Sequence, residues 1–185
     1  MNPKTIKADI LLFLTAAIWG FAFVAQREGM AHIGPFLFNG IRFALGGTSL
    51  LPLYFLRKNK KIDHQRSMDM KGLLIGAGLA GVFMTIGASF QQVGVKYTTA
   101  GNAGFITGLY VVIVPIIGIF IGKATNKQTW TGAVLAMTGM YFLSIKGGYH
   151  IELGDLLVFI SAFFWASHVQ VIAKITKIYS AITIS

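Results

Sequence analysis

The sequence predicts an all-α protein, a polytopic membrane helix bundle of about six transmembrane helices, and three observations support this fold class. Of the 185 residues, 55% are hydrophobic and only 12% are charged, and the mean hydropathy is +0.67. Such values lie outside the range of soluble globular domains and inside that of polytopic membrane proteins. The second observation is a succession of six apolar segments, and the third is an internal repeat that relates the first segment to the sixth.

The repeat is visible when residues 8–19, ADILLFLTAAIW, are set against residues 154–165, GDLLVFISAFFW. The two segments align without gaps: both have an Asp at the second position, a hydroxyl residue six positions later, and a Trp four positions after that. Leu, Phe and Ala match by chance in apolar helices, so the evidence for the repeat is the match at the Asp, the hydroxyl residue and the Trp. Because the second copy comes five membrane segments after the first, it enters the membrane from the opposite side. Inverted repeats of this kind are found in many secondary transporters.

Taken in order, the predicted helices occupy about residues 8–25, 35–56, 72–91, 99–122, 129–145 and 155–173. The first resembles a secretory signal, but no A-x-A cleavage site follows it, so we predict an uncleaved helix. Pro35 is well placed to open the second helix, and a basic loop, residues 57–71, follows it.

Glycine and proline mark the middle helices. The third contains glycines that permit close helix approach in lipid, and it is predicted to end in Gln91 and Gln92. Pro115 removes a backbone hydrogen bond inside the fourth helix, so a bend is expected there. The fifth helix is short, but it is long enough to cross a hydrocarbon core of about 30 Å.

The distribution of Lys and Arg predicts the orientation. With a cytoplasmic N-terminus, the inside segments hold twelve Lys and Arg residues and the outside loops hold three, Arg27, Lys96 and Lys146. The positive-inside rule therefore places the N-terminus in the cytoplasm. The net charge of +10 is explained by topology, and binding to nucleic acid is not expected. The basic loop at 57–71 is interpreted as topogenic, with contact to anionic lipid headgroups as the alternative.

Three stretches together resemble a known family: residues 9–20, the RFALGG of residues 42–47, and above all KYTTAGNAGFITGLYVVIVPIIG at residues 96–118. They are similar to the first half of an EamA-type transporter of the drug/metabolite transporter superfamily. The resemblance implies ten helices in two inverted five-helix repeats around a central substrate cavity. Residues 8–145 are then the first repeat, residues 154–173 are the first helix of a truncated second repeat, and residues 174–185 are a C-terminal tail.

The resemblance implies a small-solute or metabolite permease that works by alternating access in the bacterial inner membrane. The expected partners are the lipid bilayer, a small solute, and either a second copy of the chain or a missing second half. Because four helices are lacking, transport by this chain alone is not expected. The alternative is a non-transporting membrane remnant or an interaction subunit.

The candidate solute-binding residues are polar or aromatic side chains within or near the predicted spans, and they are Trp19, Phe23, Arg42, Gln91, Asn102, Tyr110, Trp165 and His168. Each has a structural alternative. Arg42 is expected to snorkel or to pair with Glu28 rather than bind solute, and the two Trp residues either line a polar cavity or pack between helices.

The amides Gln91, Gln92 and Asn102 are expected to cap helix ends or, as the alternative, to contact solute. For His168, a helix-to-helix hydrogen bond is favoured over a proton relay.

Enzymatic, metal and cofactor functions are not predicted. All six carboxylates fall in loops or at helix ends, no two are spaced as a catalytic pair, and there is no cysteine. Asp9 and Asp155 are each predicted at a helix N-terminus, where the helix dipole favours a carboxylate. Because no carboxylate is expected at membrane depth, the sequence favours neutral or zwitterionic, amino acid-like solutes over lipophilic cations.

Overall fold

The fold was analysed in a computed structural model, which describes residues 3–58, 70–144, 152–179 and 184. Residues 59–69 of the predicted basic loop, residues 145–151, and residues 180–183 and 185 of the predicted tail lie outside the described part. The described residues contain no strand, and their seven α-helices are α1 (Pro3–Gly29), α2 (Pro35–Lys58), α3 (Met70–Lys96), α4 (Ala100–Gly108), α5 (Tyr110–Phe120), α6 (Lys127–Ser144) and α7 (Leu153–Ile175). The predicted all-α bundle is confirmed.

Four candidate membrane spans are found in the described residues: Ala8–Gly29 in α1, Met70–Lys96, Ala100–Phe120 across α4 and α5, and Leu153–Ile175. Each is long and apolar enough to cross a bilayer. The other two predicted spans, α2 and α6, are helical as predicted. However, α2 contains Arg42 and Pro52, and α6 is 18 residues long.

The helices at the centre of the molecule are α3 and α7, which pack together along their whole lengths in opposite directions. Gly76 near the start of α3 lies against Ile175 at the end of α7, and Gly94 near the end of α3 lies against Gly154. Of the other helices, α4 and α5 pack on α7, α6 packs on α4 and α5, and α2 packs on α3.

Small residues at seven-residue intervals explain how α3 and α7 approach so closely. On α3 the repeating positions are Ala80, Gly87 and Gly94, and on α7 they include Gly154 and Ser161. A seven-residue period keeps one face of a helix against its partner. In lipid, small side chains on that face let the backbones make van der Waals contact, which drives association where no hydrophobic effect operates.

Hydrogen bonds fix the end of this helix pair at which α3 ends and α7 begins. The Asp155 carboxylate in the first turn of α7 accepts the hydroxyl of Thr98, in the loop before α4, and the backbone N–H of Glu152 at 3.1 Å. Thr99 begins α4, since its hydroxyl accepts the backbone N–H of Asn102 at 3.0 Å. The start of α4 is therefore capped by the loop residue Thr99, and Asp155 joins the first turn of α7 to the loop before α4.

Two predicted helix ends and one predicted capping position were wrong. Helix α3 continues for more than a turn past Gln91 and Gln92, so both amides lie inside it and are buried. Helix α1 extends to Gly29, which places Gln26 inside it, and it begins at Pro3, so Asp9 lies in its second turn rather than at its N-terminus. Beyond the predicted ends, the sequence continues with residues that are compatible with a helix. Helix α1 ends at the next glycine, Gly29, and α3 ends shortly before the next threonine, Thr98.

The fourth predicted helix is interrupted, but not where the proline stands. Leu109 separates α4 from α5: its N–H bonds to the carbonyl of Ile106 at 3.1 Å, and its own carbonyl accepts the N–H of Val112 at 2.9 Å. These bonds span three residues, as in a tighter 3₁₀ turn. Pro115 lies inside α5. Because proline has no backbone N–H, it cannot donate to the carbonyl four residues earlier, at Val111.

Most of α1 is exposed. No residue from 8 to 25 of α1 is buried, whereas α7 has buried residues at intervals from Gly154 to Ile175. Only the C-terminal end of α1 is covered, at Gln26 and at Met30 just beyond the helix, where it meets α3 and α4. The two copies of the internal repeat are thus packed very differently.

Candidate functional site

Aromatic rings from the two copies of the repeat meet near the middle of the molecule. The ring centroids of Trp19 on α1 and Trp165 on α7 are 6.5 Å apart, with an angle of 51° between their planes. The next ring along α7, His168, lies 6.0 Å from Trp165, edge to face. Trp19 and Trp165 occupy the same position in the repeat, and symmetry-equivalent residues touch one another only close to the two-fold axis. A two-fold axis that relates the two copies would therefore pass beside this pair.

His168 makes a helix-to-helix hydrogen bond. Its Nδ1 lies 2.9 Å from the backbone carbonyl oxygen of Ala80 on α3. A carbonyl only accepts, so Nδ1 carries a proton and donates. The contact agrees with the structural alternative for this residue, which is an anchor between α7 and α3.

Buried amides lie on α3, the helix that packs against α7. Gln91 is 5% exposed, and its Nε2 donates to the hydroxyl of Thr107 on α4 at 2.9 Å. Gln92 is fully buried, and neither its side-chain nitrogen nor its side-chain oxygen has a hydrogen-bond partner in the described structure. Along α3, Gln92 lies between Gly87, which contacts Phe164, and Gly94, which contacts Val158.

The indole Nε1 of Trp165 is also buried without a partner in the described structure, as are Oε1 of Gln26 and Oδ1 of Asn39. Each buried polar group that lacks a hydrogen bond costs about 1–3 kcal/mol. Stability alone would favour replacing such groups with apolar ones. A donor at Trp165 and both a donor and an acceptor at Gln92 are the groups that a polar solute would satisfy.

Arg42 lies apart from this cluster. Its guanidinium is 4.9 Å from the ring centroid of Phe43 and 6.0 Å from that of Phe38, both on its own helix. Both distances fall within cation–π range. The expected ion pair with Glu28 is absent, although both residues are described.

Three further candidates take part in helix packing. Phe23 packs with Met30 and Val95 and faces Gly104. Tyr110 is half-buried and packs with Ile113 and with alanines of α7. Asn102 contributes its backbone N–H to the cap of α4, while its side chain is half-buried. The amide of Asn102 is therefore not the group that caps the helix, and the cap is the Thr99 hydroxyl.

Gln26 and Thr107 were not among the predicted site residues, and Gln92 was considered only together with Gln91 and Asn102, as a helix cap or a solute contact. The sequence carried a signal for the two glutamines, since amides are rare in apolar helices. That signal was lost because both were assigned to helix ends. Thr107 gave no signal, since Thr in a membrane helix usually bonds to its own backbone.

Comparison with known proteins gives a consistent result. Residues 6–145 match the EamA-like transporter family. An uncharacterized transporter of Archaeoglobus fulgidus is 36% identical over 95% of this chain and 52% of its own length. A probable amino-acid metabolite efflux pump of Escherichia coli is 26% identical over 86% of this chain and 51% of its own length. No solved structure matches the chain.

The chain spans about half the length of the curated relatives it matches. The family match covers most of the chain and includes the first five predicted spans. The relatives also align through the helix that the internal repeat assigns to a second copy. This chain belongs to the EamA-like transporter family.

Proposed function

We propose that the chain supplies the first repeat and the sixth helix of a small-metabolite permease. It lies in a bacterial inner membrane with its N-terminus in the cytoplasm. Family membership supports transport, and the excess of Lys and Arg in the predicted inside segments supports the orientation. The observation that carries the proposed site is that two buried polar groups lack a hydrogen-bond partner in the described structure. They are the Gln92 amide on α3 and the Trp165 indole N–H on α7, and these two helices pack against each other.

The proposed solute is neutral or zwitterionic with an apolar body, in the manner of an amino acid. The rings of Trp19 and Trp165 offer apolar surface, and the Gln92 amide offers one donor group and one acceptor. Within the described spans, no carboxylate lies at depth to balance a cation: Asp9 and Asp155 stand within two turns of a helix end. One relative's name, an amino-acid metabolite efflux pump, points in the same direction.

The proposed mechanism is alternating access around this site. Solute binding satisfies the amide and the indole, and the free energy gained is available to favour one arrangement of the helices over another. No bond of the solute is made or broken, so the side chains bind and position it but do not act as catalysts. The second repeat is required to close the site on its other side.

The test uses a restored full-length chain, with the last four helices of the Archaeoglobus relative joined after residue 173. Gln92→Leu and Trp165→Phe each remove hydrogen-bonding atoms while keeping apolar volume. We expect KM for amino acid export to rise about two- to tenfold for each, as one hydrogen bond is worth about 0.5–1.5 kcal/mol. Trp130→Phe, on α6, is the matched control and should change nothing.

The stability of Gln92→Leu provides an independent measurement. If Gln92 is retained for binding, the substitution removes a buried unpaired amide and should stabilise the unliganded chain in detergent by about 1–3 kcal/mol. Impaired export together with raised stability supports the proposal. Export of lipophilic cations with no export of amino acids would contradict the solute class, and unchanged export kinetics in both variants would contradict the site.

A further inference from the structure

Three lysines lie along one face of α7 at its C-terminal end. Lys174 and Lys177 follow Gln170 by four and seven residues, which places them on the same face of α7 and of the turn just beyond it. Lys123, in the loop after α5, reaches this face as well, because its ammonium nitrogen donates to the side-chain oxygen of Gln170 at 2.5 Å. All three lysines are exposed. We call Lys123, Lys174 and Lys177 the lysine cluster.

The position of Lys123 is fixed by the turn that ends α5. Gly122 has a φ of 76°, in the left-handed region that glycine adopts without strain, and the N–H of Lys123 bonds back to the carbonyl of Gly118 at 2.8 Å. On α7, the amide nitrogen of Gln170 donates to the carbonyl of Val114 at 2.7 Å, which leaves its oxygen to accept from Lys123. Both the backbone and the side chain of Lys123 therefore hold its ammonium group against α7.

The charge of the lysine cluster is not balanced within the described part of the chain, where none of the three lysines forms an ion pair. Glu152 and Asp155 lie at the start of α7, the end opposite the cluster, and Glu28 lies at the end of α1. Asp9 lies in the exposed first half of α1. Like charges on one helix face repel each other, so an anion from outside the chain would stabilise this end of α7.

Exposed apolar side chains adjoin the lysine cluster. Phe120, the last residue of α5, and Ile121 come directly before the turn that holds Lys123, and Phe120 is 86% exposed. Ile178, next to Lys177, is exposed as well. Cations beside apolar surface match a phospholipid, which carries its phosphate at the membrane surface and its acyl chains below it. A free phosphate ion would use the lysines alone.

We propose that the lysine cluster binds the headgroup of an anionic phospholipid, whose acyl chains lie along Phe120 and Ile121. A lysine ammonium has three N–H donors, so Lys123 donates to the headgroup phosphate while it keeps its bond to Gln170. The other two lysines attract the same headgroup by their charge. The lipid then bridges the loop after α5 and the end of α7, and it stabilises the packing of these two helices. The site uses residues other than those of the basic loop at 57–71 and does not depend on which solute is carried.

The test uses the 185-residue chain in an uncharged detergent, to which phosphatidylglycerol or phosphatidylcholine with the same acyl chains is added. The unfolding temperature is followed by circular dichroism, and the lipid concentration that gives half of the maximal shift measures the apparent affinity. We expect phosphatidylglycerol to raise the unfolding temperature more than phosphatidylcholine does. Lys174→Gln and Lys177→Gln should each weaken the affinity for phosphatidylglycerol about fivefold, which corresponds to about 1 kcal/mol per lysine.

Lys96→Gln is the matched control, because Lys96 is an exposed lysine at the other end of the α3–α7 pair, and it should leave the affinity unchanged. Lys123→Gln removes a bond to α7 together with a charge, so Lys123→Arg, which keeps the charge, is measured beside it and should retain the affinity. Equal shifts by the two lipids, equal effects of Lys96→Gln and Lys174→Gln, or the same stabilisation by glycerol phosphate without acyl chains would overturn the proposal. None of these measurements depends on transport, so the proposed function is tested separately.

Discussion

Replacing Gly154 by alanine is expected to separate α7 from α3. A Cβ atom at this position would lie 2.5 Å from the carbonyl carbon and oxygen of Tyr97 and 2.6 Å from the carbonyl oxygen of Gly94. All three atoms belong to the backbone, so no side-chain rotation relieves the overlap. A distance of 3.4 Å is the beginning of ordinary contact. The two helices would have to move apart by about 0.9 Å, which is 3.4 minus 2.5.

The expected cost follows from what that movement disrupts. Overpacking a well-packed interface costs about 1–3 kcal/mol, and the separation also stretches the hydrogen bond between Thr98 and Asp155. In the opposite direction, alanine gains about 0.5–1 kcal/mol over glycine within a helix. We expect net destabilisation, and Gly94→Ala should behave in the same way, since its Cβ would meet Val158 and the Gly154 carbonyl.

Gly78 is the matched control, because it lies on α3 and a Cβ there meets nothing within 4 Å. Gly78→Ala should therefore leave stability unchanged or raise it slightly. The measurement is the free energy of unfolding of the 185-residue chain in mixed micelles with increasing SDS, followed by circular dichroism. If Gly154→Ala and Gly78→Ala unfold at the same SDS fraction, the close approach of α3 and α7 is not what holds them together.

Three further predictions concern the membrane topology, the hydrogen bond between Thr98 and Asp155, and His168. A reporter active only in the periplasm should be silent when fused after Lys61 and active after Lys146, and the opposite pattern would refute the orientation. Thr98→Val and Asp155→Asn should each destabilise the chain by about 1–3 kcal/mol, and the double variant should cost less than the sum of the two; strict additivity would show that the two side chains do not interact. His168→Phe should lower stability by about 1 kcal/mol and leave the pH profile of export in the restored chain unchanged, whereas a lost pH dependence would indicate a proton relay instead.

The sequence was sufficient to predict the helices but not all of their ends. Apolar runs are set by composition, and all six predicted segments are helical, although the fourth is divided at Leu109 into α4 and α5. Helix ends depend on where the next hydrogen-bond partner lies, and polar residues such as Gln26 and Gln92 were mistaken for ends. In a membrane protein such residues also occur inside helices, where they are buried against neighbours, and the sequence pattern does not distinguish the two cases.

The candidate site was predicted only in outline. The repeat identified Trp19 and Trp165 as equivalent, and this was enough to single them out, but their contact depends on the packing of α1 and α7. Arg42 was selected because a charge at depth is costly, yet it lies over aromatic rings of its own helix. Gln91 and Thr107 form a hydrogen bond although they lie on different helices and 16 residues apart. A contact of this kind leaves no periodic pattern in the sequence.

The close packing of α7 on α3 also bears on which parts of a complete transporter move together. By sequence, α7 is the first helix of the second repeat, yet it is joined to the first by backbone contact and by bonds from His168 and Asp155. Sliding α7 along α3 would break all of these contacts together, because they are distributed along the length of α7. We therefore expect α7 and α3 to move as one body, although the repeat pattern of the sequence separates them.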